Sequence, residues 1–263
     1  MDNDFLSSQD IAKICQIIRS AGDAVLEEYS KDFSPADLKE DHSPLTQADL
    51  RSNAIIEKGL NGLSVQYPYV SEENLEIPAE ERQKLETYWL VDPLDGTREF
   101  INRNGEFAIC IALIHKSKAV VGFVFAPTAK ELCLAIKSKG AFIEKAGLRT
   151  KLKTSPFDPS QEKLRFAVSR SHRSPDINSY IEKFENPIYK TIGSILKMVE
   201  IAKGSIDIYP RFDQKTKEWD IAAGQIILEE AGGSVVHSQT QVPITYNKTT
   251  LNNPPFIASA NPI

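Results

Sequence analysis

Residues 89–97 read WLVDPLDGT, in which three apolar residues are followed by two aspartates, Asp92 and Asp95, that a proline and a leucine separate. The apolar run predicts a buried strand, and proline followed by Asp-Gly is typical of a turn. The segment is therefore either an ordinary polar turn at the end of a strand or a turn that presents two carboxylates to a cation. Neither aspartate decides between these interpretations on its own.

The residues on both sides of this stretch predict two helices and an antiparallel meander. One helix begins after Ser7 and ends near residue 30, and a second runs from Thr46 to Leu60; both repeat apolar residues on one face. Asp10 and Asp49 stand three residues after Ser7 and Thr46, which is the spacing of a capping box. Downstream, four short β-rich runs are separated by polar connections: FAICIALI, AVVGFVF, ELCLAI and AFIE.

From Leu164 onward, β-rich and helical segments alternate. Strands are predicted at LRFAVS, NPIYKTIG, IDIYPR, SVVH and PFIASA, and helices at SPDINSYIEKF, SILKMVEIAKG and WDIAAGQIILEEAGG. This order is typical of a layered α/β domain. Residues 150–162, polar with two prolines, are the best linker candidate. We predict an α+β domain over residues 1–155, with the antiparallel sheet, and an α/β domain over residues 156–263.

The composition excludes several classes of protein. A formal charge of −5 and a pI near 5.5 leave no basic surface for nucleic acid. The three cysteines, Cys15, Cys110 and Cys133, are far apart and without metal-ligand spacing, which predicts free buried thiols in a reducing compartment. The acidic first residues do not form a signal peptide, and no apolar stretch approaches the roughly 20 residues of a membrane helix. We therefore expect a cytoplasmic protein.

Three further acids stand where predicted elements end or begin, and each has an ordinary explanation. Glu72 follows an apolar strand end and, with Glu73, is typical of a surface pair. Asp49 is explained by its capping box, since an acid in the first turn also suits the helix dipole. Asp220, after a tryptophan, could simply cap its helix. Taken singly, none of them indicates a site.

Taken as a set, the acids predict a metal site. In layered α/β folds the ends of strands and the starts of helices gather at one face, where carboxylates would repel one another unless cations held them. Oxygen ligands suit Mg²⁺ rather than zinc, and Leu94 would add its backbone carbonyl. Gly96 and Thr97 would then open a short helix whose free amides could hold a phosphate.

These segments resemble a known family. WLVDPLDGT, the downstream WDIAAGQIILEEAGG and the upstream SEE together resemble the metal signature of the lithium-sensitive, magnesium-dependent phosphatases that include inositol monophosphatase. KEDHSPLTQAD, DPLDGTREFINRNGEF, SRSH, TIGSILK and YPRF resemble, more narrowly, the 3′(2′),5′-bisphosphate nucleotidases of the CysQ type. The resemblance covers nearly the whole chain in order and implies an inositol monophosphatase/fructose-bisphosphatase-like sandwich.

The resemblance also implies roles for individual residues at the metal end. Binding of two or three Mg²⁺ ions is implied for Glu72, Asp92, the Leu94 carbonyl, Asp95 and Asp220. Asp49 and Thr97 would orient or deprotonate the attacking water.

The substrate-binding set that the resemblance implies comprises Gly96, Thr97, His172, Ser194, Lys197, Arg211 and Asp220. From the residues alone, Lys197 fits a solvated helix face and Arg211 a surface ion pair. Ser194 fits a helix N-cap, and His172 fits a loop residue without a role. Only the resemblance favours binding at these four positions.

The implied activity is hydrolysis of adenosine 3′,5′-bisphosphate to AMP and phosphate by metal-activated water. The alternatives are an inositol monophosphatase or other sugar-phosphate phosphatase, and a nucleotide- or metal-binding regulator without catalysis. The partner would be a small nucleotide bisphosphate, with no nucleic acid and no membrane segment. The family suggests a place in sulfur assimilation, and a homodimer stays open.

Overall fold

The computed structural model describes residues 5–31, 37–38, 44–74, 77–170 and 174–262. Its helices are α1 (Ser8–Tyr29), α2 (Gln47–Leu60), α3 (Ala79–Arg82), α4 (Thr97–Ile101), α5 (Pro175–Ile181), α6 (Leu196–Ala202) and α7 (Trp219–Glu230). The strands of the first half are β1 (Asp37–Leu38), β2 (Pro44–Leu45), β3 (Tyr69–Ser71), β4 (Thr87–Asp95), β5 (Ala108–His115), β6 (Lys118–Ala126), β7 (Glu131–Ile136), β8 (Gly140–Lys145) and β9 (Leu148–Lys151). Those of the second half are β10 (Arg165–Val168), β11 (Ile188–Thr191), β12 (Ile208–Arg211), β13 (Ser234–His237) and β14 (Phe256–Ser259).

The two predicted capping boxes are confirmed at α1 and α2. The N-cap side chains of Ser7 and Thr46 accept a hydrogen bond from the backbone amide of the third helical residue, which is an aspartate in both helices. The carboxylate of that aspartate accepts a hydrogen bond from the N-cap amide in return. The two helices pack against each other and cover one face of the large sheet.

The large sheet has seven strands in the order β3-β4-β5-β6-β7-β8-β9. Strand β3 runs parallel to β4 and every later pair is antiparallel, which confirms the predicted meander and extends it by β9. Successive side chains of β4 point to opposite faces, so Trp89 and Val91 pack under α1 and α2 while Tyr88 and Leu90 pack on the other side. Both faces are buried, which explains why these strands are continuously apolar.

Helix α7 fills the space between the two sheets. It contacts strands β4 to β8 of the large sheet and β13 of the small one, and all its residues from 221 to 228 are buried. The helix lies so close to β6 that a methyl group at Gly122 would meet the carbonyl oxygen of Ala223 at 2.7 Å. Helix α6 packs beside α7 and contacts β12.

The small sheet has five strands in the order β11-β10-β12-β14-β13, of which the first three are parallel. The alternation predicted from Leu164 onward is confirmed. The linker prediction over residues 150–162 is partly wrong, because Thr150 and Lys151 still belong to β9 and because Leu152 and Phe157 are buried in the core. Residue 155 falls between the last strand of the large sheet and the first of the small one, and the two-domain division stays a prediction.

Cys15, Cys110 and Cys133 are buried and free, as predicted. Among the described helices, none is both long enough and apolar enough to pass through a bilayer.

Candidate active site

The Asp-Pro-Leu-Asp segment is a bulge within strand β4 and not a turn after it. The strand continues to Asp95, and its register with β5 shifts between Asp92 and Asp95. Proline has no amide hydrogen to donate to the ladder, and the amide of Leu94 turns back to Asp92 Oδ1 at 3.0 Å. The Pro93 carbonyl accepts a 2.7 Å hydrogen bond from Ser52 of α2. The prediction that Asp95 lies in a turn is therefore wrong, because the bulge absorbs the proline without ending the strand.

Three carboxylates from three separate segments meet at this bulge. Oxygen atoms of Glu72, Asp92 and Asp220 all lie within 4.8 Å of one another. Glu72 directly follows β3, and Asp220 lies in the first turn of α7, where its carboxylate accepts a 2.8 Å hydrogen bond from the Lys217 amide. A set of oxygen donors at this spacing fits Mg²⁺. The alternative that Asp220 only caps α7 is wrong, because Glu218 occupies the N-cap position.

The electrostatics of this group indicate that the chain's own cations offset these charges only in part, since Arg211 favours the charged form of Asp220 without reversing the rise of its pKa. Burial, together with Glu72, Asp95 and Asp220, raises the pKa of Asp92 well above its ordinary value. Burial, with Asp95 and Glu72, likewise raises the pKa of Asp220. Only 2% of Asp92 is exposed, so its charge has little access to water. A bound cation would favour the ionised forms of all these groups.

Asp95 is a further acid of this group, close enough to raise the pKa values of Asp92 and Asp220. It accepts a hydrogen bond from the Ile195 amide, at the start of α6. Burial raises its pKa to about 7, with Lys197 acting in the opposite direction. Asp95 therefore connects the carboxylates to the segment that enters α6.

Gly96 and Thr97 follow the bulge. Gly96 has φ +94°, a conformation that a side chain would strain, and a Cβ there would approach Ser194 Cβ at 3.1 Å. The Thr97 hydroxyl donates a 3.3 Å hydrogen bond to the Leu94 carbonyl, so the two predicted groups are in direct contact. As predicted, a short helix, α4, begins at Thr97.

Asp49 is buried in the first turn of α2. Its Oδ2 accepts hydrogen bonds from the Thr46 hydroxyl at 2.6 Å and the Thr46 amide at 2.9 Å. One turn further along α2, Ser52 holds the bulge through Pro93. The capping explanation for Asp49 is thus confirmed, and the role in activating water stays a prediction.

A cleft of about 220 Å³ opens from the carboxylates toward α6 and β12. The predicted residues that line it are Asp95, Gly96, Thr97, Ser194, Lys197, Arg211 and Asp220. The cleft wall therefore carries acids from β4 and α7 and two of the predicted cations, from α6 and β12, and the two sets act on each other: Lys197 on Asp95 and Arg211 on Asp220. We call these the acidic end (Glu72, Asp92, Asp95 and Asp220) and the cationic end (Lys197 and Arg211).

Lys197 does not lie on a solvated helix face, as the residues alone predicted, because α6 turns it into the protein, where only 5% of it is exposed. Its ammonium donates to the carbonyls of Ser194 at 2.6 Å and Ile192 at 3.3 Å, and it lies 5.1 Å from the Tyr209 ring centre. Burial lowers the pKa of Lys197 to about 8, although Asp95 favours its charged form.

Arg211 is itself buried, but it does form an ion pair of the kind that the residues alone predicted, with the partly exposed Asp213. Its guanidinium donates a 2.9 Å hydrogen bond to Asp213 at the end of β12. Burial disfavours the charge, but Tyr209 and Asp213 raise the pKa of Arg211. The guanidinium stays charged inside the cleft.

Ser194 is not the N-cap of α6, since Ile195 holds that position. Its backbone has φ +51°, and its hydroxyl accepts a 3.3 Å hydrogen bond from the Leu196 amide. His172 lies outside the described residues.

Sequence reasoning missed nine of the residues that line the cleft: Arg98, Glu99, Ser169, Ile195, Met198, Tyr209, Lys215, Thr216 and Ile221. Tyr209 could have been found, because residues two apart on a strand share a face and Arg211 had already been singled out. Ser169 directly follows β10, at the strand end where the sites of parallel sheets form. Lys215 and Thr216 lie in the connection between β12 and α7, whose course local patterns do not predict. The others lie in or directly before α4, α6 and α7, and only tertiary packing turns them to the cleft.

Comparisons with known proteins agree with this geometry. A sequence profile described as the inositol monophosphatase family matches residues 7–262. The 3′(2′),5′-bisphosphate nucleotidase CysQ of Escherichia coli strain K12 is 38% identical over 251 residues, which are 94% of this chain and 98% of that protein. The protein of the same name from Salmonella typhimurium is 40% identical over 228 residues, covering 86% and 89%.

A solved structure is also similar over almost the full length. The crystal structure of CysQ from Bacteroides thetaiotaomicron, described as a bacterial member of the inositol monophosphatase family, has a TM-score of 0.83 and 33% identity and covers 98% of each chain. The likeness confirms the predicted sandwich fold.

Proposed function

This chain belongs to the inositol monophosphatase family, and we propose that it is a magnesium-dependent 3′(2′),5′-bisphosphate nucleotidase that hydrolyses adenosine 3′,5′-bisphosphate to AMP and inorganic phosphate. The relatives named CysQ, similar over most of both chains, support this activity. We further propose that each chain binds two or three Mg²⁺ ions.

The observation that supports a bisphosphate substrate best is that one cleft carries both acids that could hold metal ions and two buried cations, Lys197 and Arg211. A substrate with two phosphates can leave one beside the acidic end, where metal ions would lie, and direct the other toward Lys197 and Arg211. Guanidinium and ammonium groups form strong charge-assisted hydrogen bonds with phosphate oxygens. A sugar monophosphate would use the acidic end and leave the two buried cations without a ligand.

In the proposed mechanism, Glu72, Asp92, Asp95, Asp220 and the Leu94 carbonyl would hold the Mg²⁺ ions. When bound, the ions lower the pKa of a coordinated water and neutralise the phosphoryl group. Asp49 and Thr97 would orient the attacking water, and the Asp49 carboxylate would accept its proton. The amides of Gly96 and Thr97 bind the oxygens of the phosphate under attack. Ser194, His172, Lys197 and Arg211 orient the nucleotide, and Asp220 lies near its sugar.

The test is phosphate release from adenosine 3′,5′-bisphosphate and from inositol 1-phosphate, measured side by side with Mg²⁺, with a chelator, and with Mg²⁺ plus Li⁺. Chelator-sensitive turnover that favours the bisphosphate is expected. A preference for inositol 1-phosphate would retain the metal site and reject the nucleotide assignment. No turnover of either substrate would favour a binding protein without catalysis.

A further inference from the structure

The turn over residues 192–195, which leads into α6, forms hydrogen bonds with three charged side chains. The carbonyls of Ile192 and Ser194 accept hydrogen bonds from the Lys197 ammonium, and the Ile195 amide donates to Asp95. The amide of Gly193, between them, donates a 2.8 Å hydrogen bond to Oε2 of Glu106. A turn held in this way presents the Ser194 side chain to the cleft in one fixed position.

Glu106 also binds a second segment of the cleft wall. Nη2 of Arg170 lies 3.0 and 3.1 Å from the two carboxylate oxygens of Glu106. Arg170 directly follows Ser169, whose side chain lines the cleft, while Glu106 itself does not line it. One carboxylate behind the wall thus joins the segments that carry Ser169 and Ser194.

The packing around Glu106 leaves little room for these segments to shift. A Cβ at Gly193 would meet Glu99 Cγ at 2.5 Å and the Glu106 carbonyl oxygen at 2.9 Å. The ion pair between Arg170 and Glu106 is itself partly exposed, with side-chain exposures of 44% and 28%. Such pairs add little to stability, so Glu106 should matter for where the two segments lie more than for whether the chain folds.

We infer that Glu106 is a positioning residue for the cationic end of the cleft: its carboxylate sets the distance between Ser169 and Ser194 and so the fit of the second phosphate and its nucleoside. The inference rests on the proposed function. It also explains why an acid is tolerated near an anionic substrate, because Arg170 and the Gly193 amide neutralise it and keep it behind the wall.

The experiment compares Glu106→Ala and Glu106→Gln with the unchanged protein. The kinetics of adenosine 3′,5′-bisphosphate hydrolysis are measured, with inhibition by AMP as a probe of the cationic end and inhibition by inorganic phosphate as a probe of the acidic end. Arg149→Ala is the matched control. Arg149 lies on the edge strand β9 and forms a surface ion pair with Glu144 of β8, and the substitution removes that pair.

Glu106→Ala is expected to raise the KM for the bisphosphate and the inhibition constant of AMP by about tenfold, the effect of a lost hydrogen bond to a charged group. The kcat and the inhibition constant of phosphate should stay within about twofold of the unchanged protein. Glu106→Gln should recover most of the loss, since an amide oxygen still accepts the Gly193 hydrogen bond. Arg149→Ala should change none of these constants.

Three results would overturn the inference. If the unchanged protein hydrolyses the bisphosphate and both Glu106 variants keep its KM, the inference fails alone. It also fails if phosphate and AMP inhibition weaken equally, because the change then reaches the acidic end. An unchanged protein without bisphosphate turnover would reject the proposed function and this inference together. If Glu106→Ala does not fold, Arg170→Ala takes its place as the variant that loses a contact of Glu106, and Glu106→Gln stays the conservative variant with which it is compared.

Discussion

The two ends of the cleft hold their charges in opposite ways. At the cationic end, the chain itself supplies a partner for each charge: carbonyl oxygens for Lys197 and Asp213 for Arg211. At the acidic end, burial and neighbouring carboxylates raise the pKa values of Asp92 and Asp220, and Arg211 offsets this only in part at Asp220. Each cation therefore has a partner within the chain that holds it in place, whereas the carboxylates of Asp92 and Asp220 are held mainly by burial beside one another and fit an added cation. Four predictions test this difference, from the largest expected effect to the smallest.

Asp92→Asn should lower kcat by about three orders of magnitude, or roughly 4 kcal/mol of transition-state stabilisation, by weakening the metal site. In the absence of metal, the free energy of unfolding should not fall, because the substitution removes one of several buried like charges. Enzyme kinetics and denaturant unfolding with chelator measure the two effects. Asp176→Asn, at an exposed position in α5, is the control. Near-normal activity of Asp92→Asn would rule out Asp92 as a ligand.

The two capping boxes allow a matched comparison between Asp49, the proposed base, and Asp10, which has no proposed role in catalysis. Asp49→Asn should lower kcat by about 100-fold, the size of a general-base contribution. Asp10→Asn should leave kcat unchanged and cost about 1 kcal/mol of stability. Burial alone would raise the pKa of Asp10, but hydrogen bonds from Ser64 and Ser7 lower it to about 2. Equal kcat values for the two variants would show that Asp49 is only a cap.

Addition of Mg²⁺ should raise the melting temperature, and more so at pH 8 than at pH 5. The pKa of Asp95 is about 7 in the folded chain against an ordinary 3.8, so the folded state keeps a proton that the unfolded state has lost. Metal-free stability from this group therefore falls as pH rises from about 4 to 7. Mg²⁺ replaces the proton, and at 100 times its Kd it would add about 3 kcal/mol. Equal shifts at both pH values, measured by thermal unfolding, would contradict this.

Lys197→Met should raise the KM for adenosine 3′,5′-bisphosphate by about tenfold and affect inositol 1-phosphate less. The methionine keeps the packing of the stem but loses the charge and leaves the carbonyls of Ile192 and Ser194 without their donor. Lys190→Met, which removes an exposed ion pair with Glu200, is the control. Equal losses on both substrates would remove Lys197 from substrate discrimination.

Local patterns predicted most of the fold because its elements carry local signals. The capping boxes marked the starts of α1 and α2, and the apolar runs between polar connections marked the meander. The bulge at Asp95 escaped prediction because a proline followed by Asp-Gly has the same local chemistry in a turn and in a bulged strand.

The candidate site could be predicted only in part. The acids were found because element ends are visible in sequence, and the structure brings Glu72, Asp92 and Asp220 together. The burial of Lys197 was not predicted, because a seven-residue helix does not reveal which of its faces meets the core. Glu106 was overlooked for a related reason: its partners Arg170 and Gly193 are 64 and 87 residues away, so only tertiary packing brings them together.

The burial of α7 between two sheets has a consequence for protein engineering. A thermostabilising design usually refills the interior, yet here the central helix carries Asp220 in its first turn and touches Gly122 without a gap. Any added methylene would displace the helix along with that carboxylate. Heat-resistant variants of this protein should therefore be sought in surface loops and helix caps, and the middle layer should be left as it is.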